Sequence, residues 1–355
     1  MKFEEARSRF PVLERVAYLN AGTFWPLSRA TMDAVRAELA HDLDSGRTGT
    51  AYRDRAIERR SELGRLLAAL VAVEPGQVAL TASTTDGCNI VLAGLDLEAD
   101  DEIVTTTDEH FGLLGPLHAS GARVVVAVPD PEAILGAVTP RTRLLALSHV
   151  LWTTGQILPV HELRQRSGLP ILVDGAQAVG AIPVDARGLD FYTVSGQKWL
   201  CGPDGTGALV VADPERLRVA RPSYFAQVAY EPGGSFEPRP GAERFQPNWI
   251  PVASVAGLIA ALEGLPDWRY RRAAEQAERL RALLAGCADV LGPEERATLV
   301  SFRPGEGKDA AALVERLAAV GVAVRDLPGR GLVRASVGWW TSDDDLDRLV
   351  EGVAG

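Results

Sequence analysis

Leu172-Val-Asp-Gly-Ala-Gln177 and Val194-Ser-Gly-Gln-Lys-Trp-Leu200 place an aspartate and a lysine 198 − 174 = 24 positions apart. A lysine amine can condense with a cofactor aldehyde, and an aspartate can keep a pyridine nitrogen protonated so that the ring accepts electrons. Together the two residue types point to pyridoxal 5′-phosphate (PLP). Taken singly, Asp174 reads more simply as a helix cap and Lys198 as a surface lysine; the pair with its surroundings does not. The apolar run Leu169–Val173 reads as a buried parallel strand that delivers Asp174 to its C-terminal end, where open α/β sheets bind ligands.

Outward from this pair, short β-rich runs alternate with amphipathic helical stretches. Val78–Thr81, Glu102–Thr106, Arg123–Val128, Leu144–Ser148, Ile171–Asp174, Phe191–Ser195 and Gly207–Val211 read as strands. The pattern predicts an α/β fold, a mainly parallel sheet covered by helices. After a Pro-, Gly- and aromatic-rich stretch (232–251), a helix-compatible segment over Val252–Leu284 carries the chain into a smaller α+β unit. Its strands are expected near Ala297–Phe302, Val322–Arg325 and Gly331–Val337, with a last helix from Asp343. The expected division is an N-terminal segment (1–24) packing with the small domain, a large PLP-binding domain (25–250) and a small C-terminal domain (251–355).

Composition sets the outer limits. With 355 residues, 46% hydrophobic and 24% charged, the chain can bury a large core and form two domains. A net charge of −10 argues against a nucleic-acid or anionic-membrane partner. The N-terminus MKFEEARSRF has no apolar core of signal-peptide length, and no stretch approaches the ~20 apolar residues of a membrane span. A cytoplasmic location is the expectation. Cys88, Cys201 and Cys287 are odd in number and widely spaced, which fits reduced thiols rather than a disulfide framework or a metal site.

These motifs resemble the class V aminotransferase family of PLP enzymes (fold type I), with matches from about Tyr18 to Val350. His149-Val-Leu-Trp-Thr-Thr-Gly-Gln156 and Lys198-Trp-Leu-Cys-Gly-Pro-Asp-Gly-Thr-Gly207 look most like the cysteine/cystine C–S lyases, relatives of the cysteine desulfurases. The resemblance implies a cofactor cage. Ser83-Thr-Thr-Asp-Gly-Cys-Asn89 matches the phosphate-binding turn, with Thr84, Thr85 and Asn89 as contacts, and has the hydroxyls and helix N-terminus that suit an anion. His110 matches the histidine that stacks on the ring, with Phe111 as a substitute, and the other four histidines are left mostly as structural. Gln177 matches the partner of the phenolic oxygen, and Ser195 and Gln197 match phosphate contacts.

Two positions depart from the family pattern. Gln197 stands where relatives carry histidine, so it supplies no titratable proton near neutrality. Thr153 stands where the nearest lyases carry asparagine, beside Trp152, which would wall the substrate pocket. Gly331-Leu-Val-Arg-Ala-Ser336 matches the strand whose arginine holds the substrate carboxylate through paired hydrogen bonds. Arg334 is the expected clamp, with Arg325 and Arg330 as competitors, and Trp339 and Trp340 read as core more readily than as a pocket lid. Desulfurases present a nucleophilic cysteine just before this strand, but Val324-Arg-Asp-Leu-Pro-Gly-Arg-Gly331 contains none.

The resemblance thus implies a β-eliminating C–S lyase acting on cysteine, cystine or a related S-substituted amino acid. Lys198, Asp174 and His110 are its expected catalytic residues. The same cage would serve a class V aminotransferase or an amino-acid epimerase, and a non-catalytic PLP-fold module is the third alternative. A homodimer is implied, completed by a partner segment for which Arg244-Phe-Gln-Pro-Asn-Trp-Ile250 is the candidate.

Overall fold

In a computed structural model that describes residues 1–293, 295–305 and 307–355, a seven-stranded sheet forms the centre of the molecule. Its spatial order is Val78–Thr81, Gly207–Val211, Phe191–Ser195, Ile171–Asp174, Thr142–Ser148, Glu102–Thr106 and Arg123–Ala127. The five strands from Phe191–Ser195 to Arg123–Ala127 run parallel, and Gly207–Val211 is antiparallel to both of its neighbours. Alternate side chains go to opposite faces: Leu145, Leu147, Ile171 and Val173 join one core cluster, while Leu144, Ala146 and Leu172 join the other. Both faces are therefore apolar, as a helix-covered parallel sheet requires.

Asp174 closes its strand because Gly175 follows. A Cβ at Gly175 would lie 2.3 Å from both the Thr193 carbonyl oxygen and the Tyr192 ring, so only glycine lets the chain turn tightly beside the next strand.

The long helical segment is two helices, Val252–Glu263 and Arg269–Leu284, separated at Gly264-Leu-Pro266. Proline cannot continue the first, and the chain turns there. Val252–Glu263 packs on the Arg29–Ser45 and Gly49–Leu70 helices, and Val255, Leu258 and Ile259 belong to the large core cluster. A small domain that starts at 251 is thus drawn one helix too early.

The small domain holds a four-stranded antiparallel sheet in the order Asp289–Leu291, Leu299–Arg303, Leu332–Ser336, Arg325–Leu327. The strand expected over Val322–Arg325 is split: Val322–Ala323 leaves this sheet and pairs in parallel with Ala17–Tyr18. Ala17 and Leu19 sit in the small-domain core beside Leu280, Phe302, Leu313 and Leu346. Asp289–Leu291 carries no alternating apolar pattern and was not expected from sequence.

Candidate active site

The C-terminal ends of the parallel strands converge on one cleft. Asp174 is 4% exposed, and its Oδ1 accepts from the Ala176 N–H (2.9 Å) and the Thr193 hydroxyl (3.4 Å). No hydrogen bond among the described residues engages its other oxygen, which stays free for a cationic donor. Lys198 lies on the turn after Phe191–Ser195, partly buried, and its amine has no hydrogen-bond partner among the described residues. Burial lowers its pKa to about 8; Asp174 pulls it back up, while Arg334 and Arg325 push it down.

The Thr84–Gly94 helix begins beside them. Extended Ser83 caps it by accepting from the Asp86 N–H (3.1 Å), leaving the N–H groups and hydroxyls of Thr84 and Thr85 without internal partners among the described residues. Ser195 donates to the Gln197 side-chain oxygen (2.8 Å), and the Gln197 carbonyl accepts from the Trp25 N–H (3.0 Å). Asn89 does not join them. Its amide donates back to the Thr85 carbonyl (2.9 Å) and it lines a surface cleft with Asp96, Pro116 and Arg218, because four helix positions carry it about 6 Å along the axis from Thr85.

His110 caps the Phe111–Ala119 helix, its Nδ1 accepting from the Gly112 N–H (3.0 Å), which assigns the proton of the neutral ring to Nε2. The ring stands edge-on to Trp152 at 5.2 Å. Local burial and then the Lys198 ammonium lower its pKa, although the residue as a whole is exposed to the cleft. Phe111 is 78% exposed and does not substitute for it within this chain. Gln177 accepts from Trp199 Nε1 (2.9 Å) and donates to the Gly22 carbonyl (2.8 Å), which leaves one amide hydrogen uncommitted.

Arg334 is fully buried, yet its bonds go to neutral oxygens: the Trp152 carbonyl (2.9 Å) and the Thr23 hydroxyl (3.4 Å). Its Nε has no partner among the described residues, and burial followed by the Arg325 charge lowers its pKa to about 9. Arg325 is its register partner on the adjacent strand, also reaches the Thr23 hydroxyl (3.4 Å), and lies over the Trp152 ring as Arg334 does (5.8 and 6.0 Å). Arg330 is drawn off by Asp108 and the Thr107 carbonyl, which removes it from the competition for the clamp. Trp152 Nε1 and Thr153 Oγ1 are buried without partners among the described residues, polar groups that a ligand can satisfy.

Two groups here were not singled out from sequence. The Gly22–Trp25 segment straps the cleft, bonded to Gln177 and Gln197 on one side and to Ser336, Arg325 and Arg334 on the other. A Cβ at Gly22 would come within 2.9 Å of Arg334 Nη2 and Ser336 Oγ. Glu109, beside His110, is a buried carboxylate that no sequence pattern marks. Trp339 and Trp340 are core, packed with Phe10, Trp25 and Trp199. Cys88 and Cys201 are buried with thiols pushed well above their usual range, and Cys287 packs at the edge of the small-domain core.

An unpartnered lysine, a half-free aspartate at a strand end and an open helix N-terminus suit the aldehyde, ring nitrogen and phosphate of PLP, so fold and site together define a fold type I PLP enzyme. A family model for aminotransferase class V matches residues 18–349, and the chain belongs to that family. It is 30% identical to an isopenicillin N epimerase of Streptomyces clavuligerus, over 99% of this chain and 97% of that protein. It is likewise 30% identical to a cysteine desulfurase of Klebsiella pneumoniae over 99% and 97%. Among solved structures, the cystine C-S lyase C-DES in complex with cysteine persulfide superposes with a TM-score of 0.90 at 27% identity, covering 97% of this chain and 99% of that one. A C-DES mutant with glycine covalently linked to its PLP cofactor superposes at 0.91, also at 27% identity, covering 98% of each chain.

Proposed function

We propose that this protein is a β-eliminating carbon–sulfur lyase acting on cystine or a related S-substituted cysteine, giving pyruvate, ammonia and a sulfur product. The observation that carries the reading is the arginine pair. Among the described residues Arg334 is a buried cation with no carboxylate to neutralise it, and Arg325 stands opposite, so the cleft suits a substrate with two carboxylates, as cystine has. Arg334 would hold the carboxylate on the reacting carbon and Arg325 the distal one.

Bound PLP supplies an electron sink for the charge left when the substrate's Cα proton departs. Thr84, Thr85, Ser195 and Gln197 would bind its phosphate, Asp174 the pyridine nitrogen and Gln177 the phenolic oxygen. His110 and Trp152 would cover the ring and keep water out. With a pKa of about 8, Lys198 has an appreciable neutral fraction near neutrality, which suits it to take the Cα proton at Nζ and later return one. Residues 324–331 carry no cysteine and the thiols of Cys88 and Cys201 are buried, which favours direct elimination over sulfur transfer to the protein.

The test is anaerobic incubation of the PLP-loaded protein with L-cystine and with L-cysteine, without a keto acid, assaying pyruvate and sulfide or persulfide together. Pyruvate formed in step with sulfur is expected. Alanine with sulfur would replace elimination by desulfuration, and neither product would move the reading to epimerisation or transamination, since both begin with loss of the same proton. A cytoplasmic homodimer completes the proposal, supported by three unpaired cysteines and by the exposed side chains of Tyr224, Val228, Tyr230, Phe236 and Trp249. Within the suggested partner segment, Arg244 pairs with Glu215 of its own chain, leaving Asn248 and Trp249 as its outward residues.

A further inference from the structure

Glu109 immediately precedes His110 and is 4% exposed, yet the scheme above gives it no task. Every hydrogen bond it receives comes from a donor. The Ser148 backbone N–H reaches both oxygens (3.1 and 3.0 Å), the Ser148 hydroxyl donates to Oε2, and the Thr106 hydroxyl donates to Oε1 (2.8 Å). The Ser148 N–H is an obligate donor and favours the ionised carboxylate, to which both hydroxyls can also donate. Burial opposes that charge and pushes the group up to about 7.

The surroundings tie this carboxylate to the site. Ser148 is the register partner of Asp174, and the His149 N–H donates to the Asp174 carbonyl (3.0 Å). The titratable groups facing Glu109 are Asp174 from its strand and Cys88 from the Thr84–Gly94 helix, with His110 adjoining on its own segment. On the outer side of that segment, Arg330 holds Asp108 and the Thr107 carbonyl. The position of His110 is therefore fixed from within by Glu109.

We propose that Glu109 is a positioning residue for the cofactor: its ionised carboxylate holds the His110 segment against the Ser148–His149 strand end and adds a second negative charge behind Asp174. That charge favours protonated forms of the cofactor, both at the pyridine nitrogen and at the nitrogen joined to Lys198. A carboxylate that only ties a loop to a strand would leave these protonation equilibria alone.

The experiment is a pH titration of the absorbance of the lysine-bound cofactor in the holoenzyme, wild type against Glu109→Gln. The expected result is a midpoint lower by about half a unit or more, the size expected when a nearby buried negative charge is taken from a protonated nitrogen. Thr106→Val provides the second variant, since it keeps the carboxylate and the volume but removes one donor. It should lower the midpoint in the same direction by less, and it decides the matter if the glutamine variant does not fold. Unchanged midpoints in the folded variants, even with lowered melting temperatures, would reduce Glu109 to a structural tie and overturn the proposal.

Discussion

A fully buried guanidinium without a counter-ion costs the folded chain free energy that a bound carboxylate recovers. Arg334→Ala is accordingly expected to raise KM for cystine and cysteine alike by roughly 10- to 100-fold, the 1.5–3 kcal/mol of a hydrogen bond to a charged group. The unliganded variant should unfold in urea at no lower midpoint than the wild type, because the unpaired cation is gone. Arg325→Ala separates the two carboxylates: the expected loss falls on cystine, while cysteine, with a single carboxylate, is affected far less. Equal losses on both substrates would leave Arg325 without a distinct role. Lys198→Ala should abolish borohydride trapping of the cofactor, read by mass spectrometry; label retained at another lysine would displace Lys198 from its assignment.

Between neighbouring strands, His149 ties the ends of three. Its ring nitrogen pairs with the buried Tyr192 hydroxyl (2.8 Å), and its N–H donates to Asp174. Burial lowers its pKa from the usual 6.5 to about 4. Below pH 6.5 the unfolded chain takes up a proton that the folded chain refuses, so stability falls as pH drops from 6.5 toward 4, by up to roughly 3 kcal/mol. His149→Gln is expected to flatten that part of the stability curve, measured by urea unfolding of variant and wild type at matched pH. The comparison with wild type matters because the raised pKa of Glu109 acts with the opposite sign. The sheet itself was readable: five of its seven strands have the bounds read from sequence, and the other two differ by one or two residues at one end. The break at Gly264-Leu-Pro266 was also written there, but the apolar periodicity on both sides obscured it. Lys198, Asp174 and Arg334 were legible as motif residues. Glu109 was not, since its burial is created by Ser148, 39 positions away, and the opposition of Arg325 to Arg334 follows from strand register, which composition does not encode.

Across the whole molecule, the N-terminal segment joins parts that are remote in sequence. Arg7 donates to both oxygens of Asp345 (2.7 and 3.1 Å) and to the carbonyls of Trp340 and Leu13 (2.6 and 2.8 Å), and Asp345 also closes the capping box of the last helix with Ser342. Further on, the same segment supplies Gly22 and Thr23 to the cleft, so its anchoring bears on the arginine pair as well as on stability. The Asp345 side chain is only 2% exposed, and truncating Arg7 strands a buried carboxylate. Arg7→Ala should therefore cost about 2–3 kcal/mol, toward the lower end for breaking a buried pair because Arg7 itself is 18% exposed. Arg330→Ala, which removes the more open pair with Asp108 between the small domain and the His110 segment, should cost under about 1 kcal/mol. Urea unfolding of both variants, followed by tryptophan fluorescence from the Trp25, Trp339 and Trp340 cluster, gives the comparison directly. Equal losses would mean that the N-terminal tie is no more buried in energetic terms than a surface pair, and a loss in Arg330→Ala larger than in Arg7→Ala would shift the main link between the domains to the His110 segment.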